Sequence, residues 1–201
     1  MMFTGLIREL GTLKGRERRK EGARLEISAS PNVLLRATLG SSICVNGVCL
    51  TSTYSDEESW IAELSNETLQ KTTLGTLRIG SLLHLEPSLR LGDPLDGHSV
   101  SGHVDGLGHL VERTEGEGIW KFSMPMFISA MTAPKGSITV DGISLTVVGC
   151  GVDWFTVSLI PETLRQTALK DYRLEQQVNL EADPMGRYIS HALAMRNSLM
   201  S

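Results

Sequence analysis

The six residues Asn46-Gly47-Val48-Cys49-Leu50-Thr51 return almost unchanged 95 positions later as Asp141-Gly142-Ile143-Ser144-Leu145-Thr146. An Asn-Gly or Asp-Gly dipeptide between strand-like residues is the signature of a tight two-residue hairpin, so the chain writes the same hairpin twice. The offset of 95 also relates Glu67-Thr68-Leu69 to Glu162-Thr163-Leu164 and Leu85-Glu86 to Leu180-Glu181. At the front the register slips to 97, where Phe3-Thr4-Gly5 aligns with Val100-Ser101-Gly102, and an insertion of two residues explains the slip. This is an internal duplication, and it divides the 201 residues into two units large enough for a modest core each.

In the first half, residues 25–29, 43–45, 48–54, 60–64 and 82–86 read as short strands, with a helix start capped by Ser65 or Asn66. The second half repeats the order with strands at 137–140, 143–149, 155–160 and 177–181 and a helix beginning at Pro161. Many short strands with close turn signals and few helices predict an antiparallel barrel in each half, since closure removes exposed sheet edges. The Gly-, Pro- and Asp-rich stretch 90–97 is the expected linker. The predicted partition is a first barrel over 1–92, a second over 97–184 and a C-terminal helix over 185–201. That tail has no equivalent after the first half. Its i, i+4 pairs Tyr188/Ala192 and Ile189/Leu193 mark one apolar face, which predicts an oligomer contact rather than docking on the same chain.

The formal net charge of -4 argues against a nucleic-acid-binding surface, and the mixed-sign run from Arg16 to Glu21 predicts a solvated hairpin tip. Cys44, Cys49 and Cys150 are too few and odd in number for a disulfide scaffold. With no signal-peptide pattern and no run of ~20 apolar residues, the expectation is a cytoplasmic protein with no membrane partner. The doubled Met1-Met2 leaves the initiator open.

Thr51 and Thr146 lie two residues past Cys49 and Ser144, so within a strand each pair shares a side. That side is either a weakly polar core face or the wall of a cavity. The hydroxyls at Thr68/Thr163 and Thr4/Ser101, kept across the duplication, favour a ligand site in each half. His98 and His103 cluster past the linker, where acid/base or hydrogen-bonding work suits two imidazoles in a Gly-rich segment. Together with Asp105 they are also a weak zinc signal, the basis of a metal-dependent hydrolase alternative. His84, His109 and His191 read as surface residues. Lys135 stands where the first copy has Gly40, and Asp183 before Pro184 reads as a helix cap.

The motifs 2–7, 46–51, 97–106, 141–146 and 160–164 together resemble the riboflavin synthase family, the tandem lumazine-binding-domain enzymes, from Met2 to about Asp183. The resemblance implies an all-β fold of two tandem six-stranded antiparallel Greek-key barrels plus a C-terminal helix. It implies a transferase that dismutates two molecules of 6,7-dimethyl-8-ribityllumazine, with no cofactor and no metal. It further implies a homotrimer built through the C-terminal helices, with the active site between the N-barrel of one subunit and the C-barrel of its neighbour, and lumazine synthase as a further partner. Carried over by position, Cys49 and His103 line the N-barrel site with Phe3, Ser42 and Thr51. His98 is the imidazole assisting chemistry, Thr4 joins the binding set, and Lys135, Ser144, Thr146, Ile160, Thr163 and Asp183 contact substrate in the C-barrel. Cys49, His98, His103 and Ser144 are the expected catalytic residues, with both imidazoles grouped near Cys49. A lumazine or flavin carrier of the same fold is the alternative, opposed by the polar residues that both copies retain.

Overall fold

The computed structural model describes residues 2–114 and 118–199. Met1 of the doubled start, and Met200 and Ser201 of the tail, lie outside the described residues. Twelve strands are arranged as β1 (Glu9–Arg19), β2 (Gly22–Ser28), β3 (Ser42–Val45), β4 (Val48–Ser55), β5 (Ser59–Ser65), β6 (Leu82–Pro87), β7 (Gly106–Glu112), β8 (Gly118–Ser123), β9 (Ser137–Val140), β10 (Ile143–Cys150), β11 (Trp154–Leu159) and β12 (Gln177–Ala182). Short helices α1 (Pro31–Leu34), α2 (Asn66–Lys71), α3 (Met126–Ser129) and α4 (Pro161–Gln166) fall between strands, and α5 (Pro184–Leu199) follows the last one. The strands close into two barrels of the same order, β1-β2-β5-β4-β3-β6 and β7-β8-β11-β10-β9-β12.

The repeated hairpins form as their turn residues dictate. Asn46 and Gly47 have φ of 46° and 80°, Asp141 and Gly142 of 46° and 81°, the left-handed pair that a two-residue turn between twisted strands requires. At the same time Gly47 and Gly142 meet across the interface between barrels, where a Cβ on Gly47 would come within 2.7 Å of the Gly142 nitrogen. The first α2 turn is capped by Ser65, whose hydroxyl accepts the Thr68 N–H at 3.1 Å.

Alternation within each hairpin separates two faces. Ile43, Val45, Val48 and Leu50 point into the first barrel with Leu83 and Leu85; Ile138, Val140, Ile143 and Leu145 point into the second with Val178 and Leu180. Each such side chain contributes about 1.5–3 kcal/mol by leaving water. Cys49, Thr51, Ser144 and Thr146 are intervening residues and therefore lie outside the barrels, as does Cys44, which is buried in a separate cluster with Phe3 and Val100. They are therefore not part of either barrel's core face, although Cys49 packs against the Phe3, Cys44 and Val100 cluster outside it.

Two strand assignments differ from the sequence reading. β1 runs to Arg19, so the turn after it is only Lys20-Glu21 and most of the charged run belongs to the strand. β7 and β8 were not legible: GLGHLVE and GIWKFS each bury only two residues, and β7 repeats β1 only through Leu10/Leu107, Gly11/Gly108 and Leu13/Leu110, at the slipped offset of 97.

The barrels meet through a pseudo-symmetric polar seam that corrects the reading of His84 as a surface residue, since it is 1% exposed. Its backbone N–H donates to Asn46 Oδ1 at 2.7 Å, just as the Asn179 N–H donates to Asp141 Oδ1 at 2.8 Å. The side chains match as well. His84 Nδ1 lies 3.0 Å from the Asp141 carbonyl and its Nε2 2.9 Å from the Ala168 N–H, while Asn179 Nδ2 donates to the Asn46 carbonyl at 2.7 Å and its Oδ1 accepts the Thr73 N–H at 2.8 Å. A carbonyl can only accept and an N–H only donate, so the imidazole is the neutral Nδ1–H tautomer, copying a carboxamide.

Burial pushes His84 down to about 4 and pushes Asp141 up to about 7. The depressed His84 contributes stability above the unfolded imidazole value that is lost as pH falls toward 4. The raised Asp141 contributes stability at acid pH that is lost as pH rises toward 7. The two dependences oppose each other across the same window. His84→Asn should therefore fold, and as pH rises from 4 to 7 its stability should fall more steeply than that of wild type, in which the His84 dependence opposes that of Asp141; urea titrations of both proteins across that range check it.

Candidate functional site

The ladder between β4 and β5 begins at Ser52↔Ala62, and that between β10 and β11 at Val147↔Val157. In front of these pairs two lead segments take over, and they are crossed. Cys49 N–H donates to the carbonyl of Gly102, from the second half, at 2.8 Å, and Ser144 N–H donates to the carbonyl of Gly5, from the first half, also at 2.8 Å. The approach is close enough that a Cβ on Gly102 would meet the Cys49 Cβ at 2.7 Å and one on Gly5 the Ser144 Cβ at 2.6 Å. The leads themselves pair as a short antiparallel bridge, Phe3↔Val100, with N–H to carbonyl distances of 2.8 and 3.1 Å. Phe3 is fully buried beneath it with Val100 and Cys44, and Thr4 is buried with its hydroxyl on Glu86. In the protomer these two therefore support the grooves from below.

At the first hairpin Ser42 faces Thr51 across β3 and β4. Cys49 is half-buried, and burial raises its thiol, opposed by a hydrogen bond with Ser42. His103 follows Gly102 and is exposed, its N–H on Ser101 Oγ at 3.3 Å. At the second hairpin the exposed Thr146 faces Ser137, and Ser144 Oγ lies 2.7 Å from His98 Nδ1. The two expected imidazoles are thus separated within the protomer: His103 stays with Cys49, but His98 belongs with Ser144. The reason is connectivity, because His98 precedes the bridge and is held over the second hairpin by its N–H on the Thr4 carbonyl at 3.2 Å.

Burial lowers His98 below the ordinary imidazole value, and the neighbouring Asp183 carboxylate opposes the shift. Its Nε2 is buried and has no hydrogen-bond partner among the described residues. A neutral ring hydrogen-bonded at Nδ1, with Nε2 unpartnered among the described residues, has a nitrogen that can accept a proton. Asp183 also caps α5, Oδ1 accepting the Met185 N–H at 2.9 Å. Ile160 occupies the cap position of α4, where the first copy has Ser65, and is 58% exposed. An apolar residue in place of a capping hydroxyl gives the second groove an apolar lip. Thr163 is half-buried on α4.

Lys135 is exposed at φ 67°, the left-handed conformation that Gly40 takes at φ 80° in the first copy. For a non-glycine residue this costs on the order of 1 kcal/mol, which a functional ammonium would justify. Lys135→Gly should leave stability unchanged or raise it by up to about 1 kcal/mol while raising the KM for the substrate proposed below; a denaturation midpoint and a saturation curve separate the two effects.

Asp105 is engaged by Arg187, with Nη2 at 2.9 Å, and accepts the Ala182 N–H at 2.9 Å. Among the described residues no group of three or more His, Cys, Asp or Glu side chains is placed to hold a metal ion, so His98, His103 and Asp105 do not come together as the hydrolase alternative requires. A cavity of about 480 Å³ lies nearby, between Arg8, Arg36, Glu86 and Asp96, but it does not include Cys49 or Ser144. The helix α5 is tied down at its first turn, where Arg187 also donates to the His103 carbonyl at 3.3 Å, and it buries none of its residues. No helix among the described residues is long and apolar enough to cross a membrane.

The lumazine binding domain family matches this chain twice, over residues 4–88 and 101–183. Fold and site define a tandem lumazine-binding-domain protein. Riboflavin synthase of Mycobacterium tuberculosis is 43% identical over 198 residues, 96% of this chain and 98% of that one. Riboflavin synthase of Bacillus subtilis is 36% identical over 198 residues, 98% of this chain and 92% of that one. The chain belongs to the riboflavin synthase family. In architecture it is similar to LumP complexed with riboflavin, with a TM-score of 0.81 at 22% identity over 90% of this chain and 99% of LumP. The LumP complex with 6,7-dimethyl-8-(1'-D-ribityl) lumazine gives 0.80 at 18% identity over the same shares.

Proposed function

We propose that the chain catalyses the dismutation of two 6,7-dimethyl-8-ribityllumazine molecules, moving a four-carbon unit from one to the other to give riboflavin and 5-amino-6-ribitylamino-2,4-pyrimidinedione. The observation that carries this reading is the pair of matched outer grooves, each closed by the other half's lead, since the reaction consumes two copies of one substrate in opposite roles. One lumazine must lose a proton from its C7 methyl, and the other must accept a nucleophile at C7.

The Ser144 groove suits the first role. His98, kept neutral by burial, is the base that takes the methyl proton, with Ser144 holding its other nitrogen; Thr146, Thr163, Ile160, Lys135 and Asp183 bind and orient the ring and its ribityl chain. The Cys49 groove suits the second. Its thiol, raised by burial, stays protonated at neutral pH and serves as a hydrogen-bonding group rather than a carbon nucleophile, with Ser42, Thr51 and His103 around it. Phe3 and Thr4 shape both sites from beneath. Holding two rings face to face can supply on the order of 7 kcal/mol or more of the barrier.

In one protomer Thr51, His103, Thr146 and Ile160 remain exposed beside the two hairpins, and α5 leaves Tyr188, Ile189 and Leu193 exposed. These features support a homotrimer joined through α5, in which the Cys49 groove of one subunit closes on the Ser144 groove of the next. The functional units we assign are 1–92, 97–184 and 185–201. A cytoplasmic setting and contact with lumazine synthase, as source of the substrate, complete the reading. Incubation with 6,7-dimethyl-8-ribityllumazine should yield one riboflavin per two substrates consumed, followed by absorbance. Tight binding without product would make the protein a carrier.

A further inference from the structure

Two buried carboxylates have no part in the chemistry above, yet each is fully committed. Glu86 on β6 accepts the Thr4 N–H at 2.7 Å, the Thr4 hydroxyl at 2.6 Å and the Gly5 N–H at 2.9 Å. Glu181 on β12 accepts the Ser101 N–H at 2.8 Å, the Ser101 hydroxyl at 2.7 Å and the Gly102 N–H at 2.9 Å. The same lead residues then turn their carbonyls to the opposite barrel, Gly5 to the Ser144 N–H and Gly102 to the Cys49 N–H. The two hydroxyls pass the constraint one step further, since Thr4 Oγ1 accepts the Leu6 N–H at 3.1 Å and Ser101 Oγ the His103 N–H.

We propose that Glu86 and Glu181 are crossed positioning residues, the carboxylate on each barrel fixing the lead segment that closes the other barrel's groove. Glu181, in the second barrel, sets Gly102 and His103 against Cys49. Glu86, in the first, sets Gly5 against Ser144 and, through the Thr4 carbonyl, holds His98 in place. Three charge-assisted hydrogen bonds onto one carboxylate make a rigid clamp, and no other acceptor with two oxygens serves these amides in the described residues. The role in catalysis rests on the reading of the two grooves as substrate sites, but the crossed mechanical link can be tested apart from it.

Glutamine keeps the shape and leaves one carbonyl oxygen for three donors, while turning an NH₂ toward N–H groups. In the full chain, Glu181→Gln and Glu86→Gln are compared by two reporters. One is the rate of Cys49 alkylation by iodoacetamide, read on its peptide by mass spectrometry; the other is the imidazole ¹⁵N shifts of His98. Glu181→Gln should accelerate Cys49 alkylation on the order of tenfold and leave the His98 shifts as in wild type. Glu86→Gln should move the His98 shifts and leave Cys49 alkylation unchanged. Both should lower kcat for 6,7-dimethyl-8-ribityllumazine.

A variant that moves the reporter in its own barrel, or moves both reporters alike, overturns the crossed assignment. If the glutamine variants do not fold, Ser101→Ala and Thr4→Val remove a single donor from each clamp and should give the same crossed pattern at smaller size. A wild type that makes no riboflavin would sink the functional reading while leaving the crossed reporter pattern to decide this one.

Discussion

Replacing His98 with alanine lowers kcat by about 10²–10⁴-fold, the range that a positioned general base contributes, while the chain keeps its fold. The ring is half-buried at a lead segment, and its only side-chain partner is Ser144 Oγ among the described residues. A compensating hydroxide at high pH should not restore the rate, because the lost group is one that positions as well as accepts. In wild type the acid limb of the kcat profile should fall below the ordinary imidazole value of about 6.5. Burial lowers His98, so the neutral form persists to lower pH before activity is lost. Steady-state kinetics across pH on both proteins check these statements. An unchanged kcat in the alanine variant would remove His98 from the mechanism.

Phe3→Ala carries the largest expected effect on stability, about 3–5 kcal/mol for a fully buried aromatic truncated to a methyl. Phe3 has no exposed surface and packs with Val100 and Cys44 under the bridge that joins both leads. Its loss should therefore weaken both grooves at once, which separates it from a core residue inside either barrel. Denaturant unfolding gives the stability change. Riboflavin formation at a temperature where the variant remains folded gives the second, and it should be reduced through kcat more than through KM, since the leads set geometry between two bound rings.

What the sequence made legible follows from how local each signal is. The hairpins at Asn46 and Asp141, the α2 and α4 starts and the closing strands repeat at one offset and carry local signals, Asn-Gly and Asp-Gly turns, the Ser65 cap of α2 and Pro161 opening α4, so the barrel scaffold could be read directly. β7 and β8 could not: β7 keeps only Leu107, Gly108 and Leu110 from the first copy, at the slipped offset of 97, and β8 keeps only Ser123, at the offset of 95.

The misreading of His84 has a different origin. In Leu83-His84-Leu85-Glu86 the polar residues do face away from their own barrel, as alternation predicts, but outward here means against the second barrel. A usable signal was present: His84 aligns with Asn179, and both can offer one donor and one acceptor. The matched pair Glu86/Glu181 was visible in the same way, as part of Leu-Glu repeated at the offset of 95. The pairing of His98 with Ser144 rather than Cys49 was not accessible from spacing, because it depends on two leads crossing, a long-range contact between residues 46 positions apart.

The proposed assembly makes one active site from two unlike grooves, one on each of two chains. It is tested most directly by mixing chains carrying Cys49→Ala with chains carrying His98→Ala after reversible dissociation, and following riboflavin formation. Each parent damages a different groove, so random reassociation restores an intact pair at about a quarter of the interfaces of a cyclic assembly. The mixture should regain about that fraction of wild-type turnover. A mixture no more active than the sum of its parents would contradict it.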